Sequence, residues 1–340
     1  MQQKENRILE LDALRGIAAL SVYFYHASIY YKDSIYFSFF RFGLTGVDLF
    51  FIISGFVILS SAQNKTRLQF IKSRFIRLFP TYWIAVTFTF VLIIIKYFDK
   101  GILNLIPIKQ YLVNLSMIQE FFKIENLDGP YWTLYIELFF YLIVFIFIKK
   151  EKLIFFILSL IIIITLISRF DIFHFPFPIS ILNSTPISSH ASLFVIGMLF
   201  YKLKNSMNLM CLIPILIFFT TQILIYKYHY LWIKNTDINF YEHLILLFLF
   251  FIIFLLFIYN KLNFLVNNKL IFLGQISYTL YLIHQYLTTE IIEYYLVNKL
   301  NFNLGLVIFT IALPIVIIVS IYLTKISDKI SAFLKKTLSF

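Results

Sequence analysis

Residues 42–62 read FGLTGVDLFFIISGFVILSSA. That is an unbroken run near the roughly 20 residues an α-helix needs to cross a bilayer, carrying one charge, Asp48. Comparable runs lie at about 9–31, 80–97, 130–148, 153–169, 188–203, 209–228, 241–259, 270–290 and 304–325, which makes ten expected spanning helices. The spacing predicts an all-α polytopic membrane protein, a single membrane-embedded domain over 1–340 with no appended soluble domain. Residues 102–122 read as a half-buried or interfacial segment, because Pro107, Lys109 and Gln110 interrupt the apolar run. The first run follows Lys4 and Arg7 as a secretory signal would. Arg15 sits inside it and no small-residue cleavage site follows, so it reads as a retained helix.

Composition excludes a soluble globular protein: of 340 residues 61% are hydrophobic and 14% charged, against roughly a quarter charged in soluble domains. The lone Cys211 allows no intramolecular disulfide. The chain carries 29 Lys and Arg against 17 Asp and Glu. With the N-terminus placed inside, 18 of the basic residues and only five acidic ones fall in the inner segments, while the outer segments balance. The positive-inside rule then puts both termini in the cytoplasm, and the formal charge of +12 becomes a statement of orientation that calls for no nucleic-acid partner.

Ionisable groups inside spanning helices cost several kcal/mol unless they are paired or line a wet cavity, so each is a functional candidate. Arg15 and His26 are eleven residues apart, an offset of about 20° and a rise of about 16 Å, which puts them on one helix face at different depths. Asp48 lies at about the depth of His26, where a carboxylate could orient the imidazole. Glu137 and His284 reach a similar level from the fourth and ninth runs. Linear sequence leaves lateral convergence open. Structural readings stand beside these: Asp12 and Arg15 as a neutralising i,i+3 pair, His26 and His284 as core histidines on backbone carbonyls, and Glu137 as a helix bridge. His174, His190, His229 and His243, in outer loops or at their edges, read as surface or structural residues. The basic segment Lys65, Arg67, Lys72, Arg74 and Arg77 fits anionic headgroups. Arg74 and Arg77, i,i+3 neighbours, equally suit a bidentate clamp on a phosphate group.

Several of these residues fall in motifs that resemble the acyltransferase 3 family, integral-membrane enzymes that O-acylate bacterial surface and exported glycans. Leu11-Asp12-Ala13-Leu14-Arg15-Gly16 with His26 is similar to the family's N-terminal Arg, ten residues, His signature. Gly46-Val47-Asp48 through Ser54-Gly55-Phe56, Arg74-Phe75-Ile76-Arg77, Trp132-Thr133-Leu134-Tyr135-Ile136-Glu137 and Ser277-Tyr278 through His284 resemble its later motifs, in order. Thr133 stands where Ser is usual, and Gln285-Tyr286 where an aromatic and Pro are commoner.

The resemblance implies acetyl-CoA or another acyl-CoA as donor, with no tightly bound cofactor and no metal. Arg74 and Arg77 would meet the donor's phosphates, and Arg15 its pantetheine arm. His26 would act as general base or carry the acyl group, with Asp48 or Glu137 orienting it, and Ser54, Trp132, Tyr278 and His284 would line the site. The acceptor would be a sugar hydroxyl of a polysaccharide or glycolipid, and the location the bacterial inner membrane. Because the chain ends about fifteen residues after the tenth run, the membrane domain is expected to do the whole transfer. A transporter or flippase using the same charges, or a non-catalytic partner of a polysaccharide assembly machine, are the rival readings.

Overall fold

The computed structural model describes residues 7–31, 37–170, 172, 185–232 and 238–337, with backbone alone for 227–232. Among these every regular element is helical. The α-helices are α1 (Leu9–Ala27), α2 (Gly46–Gln63), α3 (Arg67–Asp99), α4 (Ile108–Asn114), α5 (Trp132–Ile146), α6 (Glu151–Arg169), α7 (Ala191–Ser206), α8 (Leu212–Trp232), α9 (Phe240–Ile258), α10 (Asn268–Gln285) and α11 (Leu313–Thr337). Two π-helical stretches interrupt the C-terminal third: Tyr286–Lys299 continues α10, and Val307–Ala312 leads into α11.

Seven helices among the described residues are long and apolar enough to cross a membrane: Ser38–Gln63, Arg67–Asp99, Gly129–Ile146, Glu151–Arg169, Leu209–Tyr226, Phe240–Ile258 and Leu304–Thr337. The chain is thus an all-α polytopic membrane protein. The other three expected spans are also helical but differ in physical character. Helix α1 carries Glu10, Asp12 and Arg15 near its start. Helix α7 has 16 residues, a rise of about 24 Å and short of the hydrocarbon core. Helix α10 passes into the π-helix instead of ending near residue 290. The 102–122 segment holds only short turns and α4, none long enough to span.

The basic segment is not a separate surface helix. It is the first third of α3, which runs from Arg67 to Asp99 through Pro80 without a break. Proline has no N–H, so the carbonyl of Ile76, four residues back, loses its helical donor. The hydroxyl of Ser331 on α11 donates to that carbonyl at 3.2 Å. This is the kind of side-chain rescue that lets a proline persist in an apolar helix.

The chain packs as two compact units that interleave in sequence: residues 1–18, 44–70 and 136–271 form one, and 19–43, 71–135 and 272–340 the other. In the first, α2 and α7 approach through two glycines. A Cβ on Gly55 would stand 2.1 Å from the carbonyl oxygen of Phe194, and one on Gly197 would stand 2.0 Å from that of Ile52. Small residues at a crossing let backbones meet where lipid supplies no hydrophobic drive. In the second, the irregular chain before α5 is satisfied by Asn114, whose amide donates to the carbonyls of Gln110 and Glu125 and accepts from Leu127 N–H. Non-helical backbone inside such a unit needs that internal pairing. At the end of this loop the buried Asp128 accepts the N–H of Tyr286, linking the entry to α5 with the start of the first π-helix.

Candidate functional site

His26 lies in the last turn of α1 and His284 near the end of α10. In their unit the two rings meet, His26 Nδ1 standing 3.0 Å from His284 Nε2. The direction of this bond follows from its surroundings. His284 is fully buried and its Nδ1 is 2.8 Å from the carbonyl of Tyr281. A carbonyl only accepts, so Nδ1 of His284 carries the proton and, in the neutral ring, Nε2 offers a lone pair. His26 Nδ1 must therefore be the donor, shared with the carbonyl of Val22 at 3.1 Å. That assigns the Nε2–unprotonated tautomer to neutral His26. Nε2 makes no hydrogen bond among the described residues, and its half-buried ring leaves the lone pair for an incoming hydroxyl.

The relay is anchored further back. Tyr281, whose carbonyl sets His284, has its own hydroxyl 3.0 Å from that of Thr133, which also bonds the carbonyl of Pro130. The Thr in place of Ser thus keeps the hydroxyl in use. Tyr278 donates to the carbonyl of Leu78, and Trp132 is half-buried at the start of α5.

The acidic candidates build separate networks within the first unit. Asp48, in the first turn of α2 where the helix dipole favours an anion, is 2% exposed. It accepts from Tyr226 at 2.6 Å and stands 3.0 Å from His243 Nε2. Glu137 accepts from Ser54 at 2.8 Å and from Tyr141 at 2.5 Å, a bridge between α2 and α5. The ring partner of His26 is accordingly an imidazole, whereas the expectation offered it a carboxylate.

His243 read as surface or structural, and it is 2% exposed. The signal lay in the preceding residues. Asn239 and Glu242 form a capping box, the Asn side chain taking the Glu242 N–H and the Glu side chain taking the Asn239 N–H. A capping box marks the start of a helix, so it fixes His243 in the first turn of α9, inside the expected run 241–259. His190 packs its ring against Phe51. His174 and the side chain of His229 lie outside the described residues.

Arg15 pairs with Asp12 at 3.5 Å, and Arg7 binds the same carboxylate, so the neutralising i,i+3 pair exists. Arg74 and Arg77 share a turn of α3 but differ in environment: Arg74 is buried, with Nε on the Ser73 hydroxyl, and Arg77 is exposed.

The comparisons with known proteins follow this layout. Residues 8–325 match the family Acyl_transf_3, described as an acyltransferase domain. Over 90 residues the chain is 36% identical to "Protein 2 in picA locus" of Rhizobium radiobacter, a stretch that is 25% of this chain and 44% of that relative. The chain thus spans less than half the length of this relative. No solved structure matches. The family match begins one residue before α1, ends inside α11 and takes in both paired histidines, both carboxylate networks and the Arg74–Arg77 turn: this chain belongs to the acyltransferase 3 family.

Proposed function

We propose that the protein moves an acyl group, acetyl in the simplest case, from cytoplasmic acyl-CoA to a sugar hydroxyl of a cell-surface or exported polysaccharide or glycolipid, in the bacterial cytoplasmic membrane. The observation that carries this reading is the His26–His284 pair, which leaves Nε2 of neutral His26 unprotonated and without a hydrogen bond among the described residues. A general base needs its lone pair within reach of the proton it takes and its ring held in one tautomer. The role of orienting group goes to His284, because its ring holds His26 Nδ1.

In the proposed step the sugar oxygen attacks the thioester carbonyl carbon while His26 Nε2 takes the hydroxyl proton. The tetrahedral intermediate collapses, the carbon–sulfur bond breaks, and the imidazolium returns its proton to the departing CoA sulfur. While His26 is charged, its Nδ1–H faces a neutral acceptor, a charge-assisted bond that stabilises the imidazolium without burying a second charge. Arg77, exposed on α3, and Arg74 beside it suit the polyanionic part of the donor, with planar guanidinium forks matched to phosphate oxygens. The excess of Lys and Arg in the segments read as inner places them on the side from which acyl-CoA arrives.

Membranes bearing the protein, given labelled acetyl-CoA, should pass label to an exported glycan. His26→Ala should abolish transfer while insertion persists; undiminished turnover would sink the assignment. Arg77→Ala should raise the acyl-CoA requirement about tenfold or more, and Arg74→Lys should fail to restore an Arg74→Ala loss, because a point charge lacks the fork. An unchanged donor requirement would leave the arginines as lipid anchors.

A further inference from the structure

Two buried polar groups close in sequence to His284 lie on the π-helix that follows it, Thr288 and Glu293. Glu293 is 2% exposed and its Oε1 makes no hydrogen bond among the described residues; Thr288 is 1% exposed and its hydroxyl lies against that of Tyr23. In a π-helix residue i bonds to i+5, so these two, five apart, fall on nearly the same face. The hydroxyl of Tyr23 in turn donates to the carbonyl of Ile308 at 3.1 Å. Tyr23 lies one turn before His26 on α1, and its ring centroid is 6.5 Å from that of His284.

Buried oxygens without partners are rare in folded proteins, and each calls for a ligand, a water or a function. Lys96 of α3, which reaches this helix, is already paired with Glu290. A phosphate is disfavoured by the two carboxylates, and an acyl chain supplies no donor to Glu293. A polyhydroxyl ring meets every group: its hydroxyls donate to Oε1 and exchange a hydrogen bond with Oγ1, and its apolar face can lie on tyrosine. We propose that Glu293 and Thr288 form the subsite that holds the acceptor sugar by its non-reacting hydroxyls, next to the base that activates the reacting one. This rests on the acyl-transfer reading above.

The test uses membranes carrying the full-length protein, labelled acetyl-CoA, and alkyl hexosides as acceptors, each ring hydroxyl replaced in turn by hydrogen. A site built to bond a hydroxyl rejects the analogue that lacks it. The wild type should lose about tenfold or more in kcat/KM with one deoxy acceptor that still keeps its reacting hydroxyl. Glu293→Gln and Thr288→Val should each raise the acceptor KM about tenfold, leave the acetyl-CoA KM unchanged, and narrow the discrimination against that deoxy acceptor. Wild-type values in both variants, or a loss confined to kcat, overturns the subsite while acyl transfer stands. Absence of wild-type transfer to any hexoside overturns both readings. If Glu293→Gln does not insert, Thr288→Val decides.

Discussion

His26 Nδ1 donates to His284 Nε2 across 3.0 Å, and the polarity of that bond is set from the far end by the carbonyl of Tyr281. One backbone carbonyl, through two rings, therefore determines which nitrogen of His26 holds a lone pair. A carboxylate would do the same but would bring a charge into an apolar unit; a neutral ring orients without that cost.

Replacing His284 should consequently act on rate more than on binding. His284→Leu removes the acceptor for His26 Nδ1–H, and kcat should fall by roughly 10²-fold or more, in the range general-base catalysis contributes, with the acyl-CoA KM little changed. His284→Gln can still present a carbonyl oxygen to that N–H and should retain more activity than the Leu variant. Initial rates at saturating donor compare the two, and equal losses would remove the relay from the mechanism.

The Asp48–His243 contact should show itself in stability. Both side chains are 2% exposed, and Asp48 also takes the Tyr226 hydroxyl. Asp48→Ala removes the acceptor of the Tyr226 hydroxyl and the carboxylate beside His243 Nε2, and should lower stability by about 3 kcal/mol. Since the two residues share one network, the Asp48→Ala, His243→Ala double variant should lose less than the sum, with a coupling of roughly 1–3 kcal/mol. Thermal unfolding of the detergent-solubilised protein measures the cycle; strict additivity would dissolve the network.

Pro80 and Ser331 make a second cycle with an opposite logic. Ser331→Ala strips the Ile76 carbonyl of its donor and should cost about 1 kcal/mol. In a Pro80→Ala background the restored N–H of residue 80 meets that carbonyl within α3, and the same Ser331 substitution should then be close to neutral. The difference between the two Ser331→Ala effects is the readout, and an equal cost in both backgrounds would show that the hydroxyl serves some other partner.

Much of this protein was legible along the chain. Apolar runs near spanning length predict the helices, and the scarcity of ionisable residues inside them singles out His26, Asp48, Glu137 and His284. Less was visible where local rules meet exceptions. The expected third run began at residue 80, yet α3 starts at Arg67 and runs through Pro80, where a hydroxyl 255 residues away meets the orphan carbonyl of Ile76. His243, at the outer edge of the expected run 241–259, read as bland, yet it is buried and paired with Asp48. The second residue of the proposed sugar subsite, Glu293, lies beyond the expected end of the ninth span, on a π-helix that no periodicity announced.

Sequence by itself determined the class of fold and pointed to the candidate chemistry and an expected depth for each group, because rise along a helix is a local quantity of about 1.5 Å per residue. Only the tertiary structure decided who pairs with whom: His26 with His284, Asp48 with His243 and Tyr226, Glu137 with Ser54 and Tyr141. The physical reason is that lateral partnership depends on each helix's rotation and on its neighbours. Those are set by side-chain packing and close glycine crossings summed over segments far apart in the chain, and nothing within a single run encodes them.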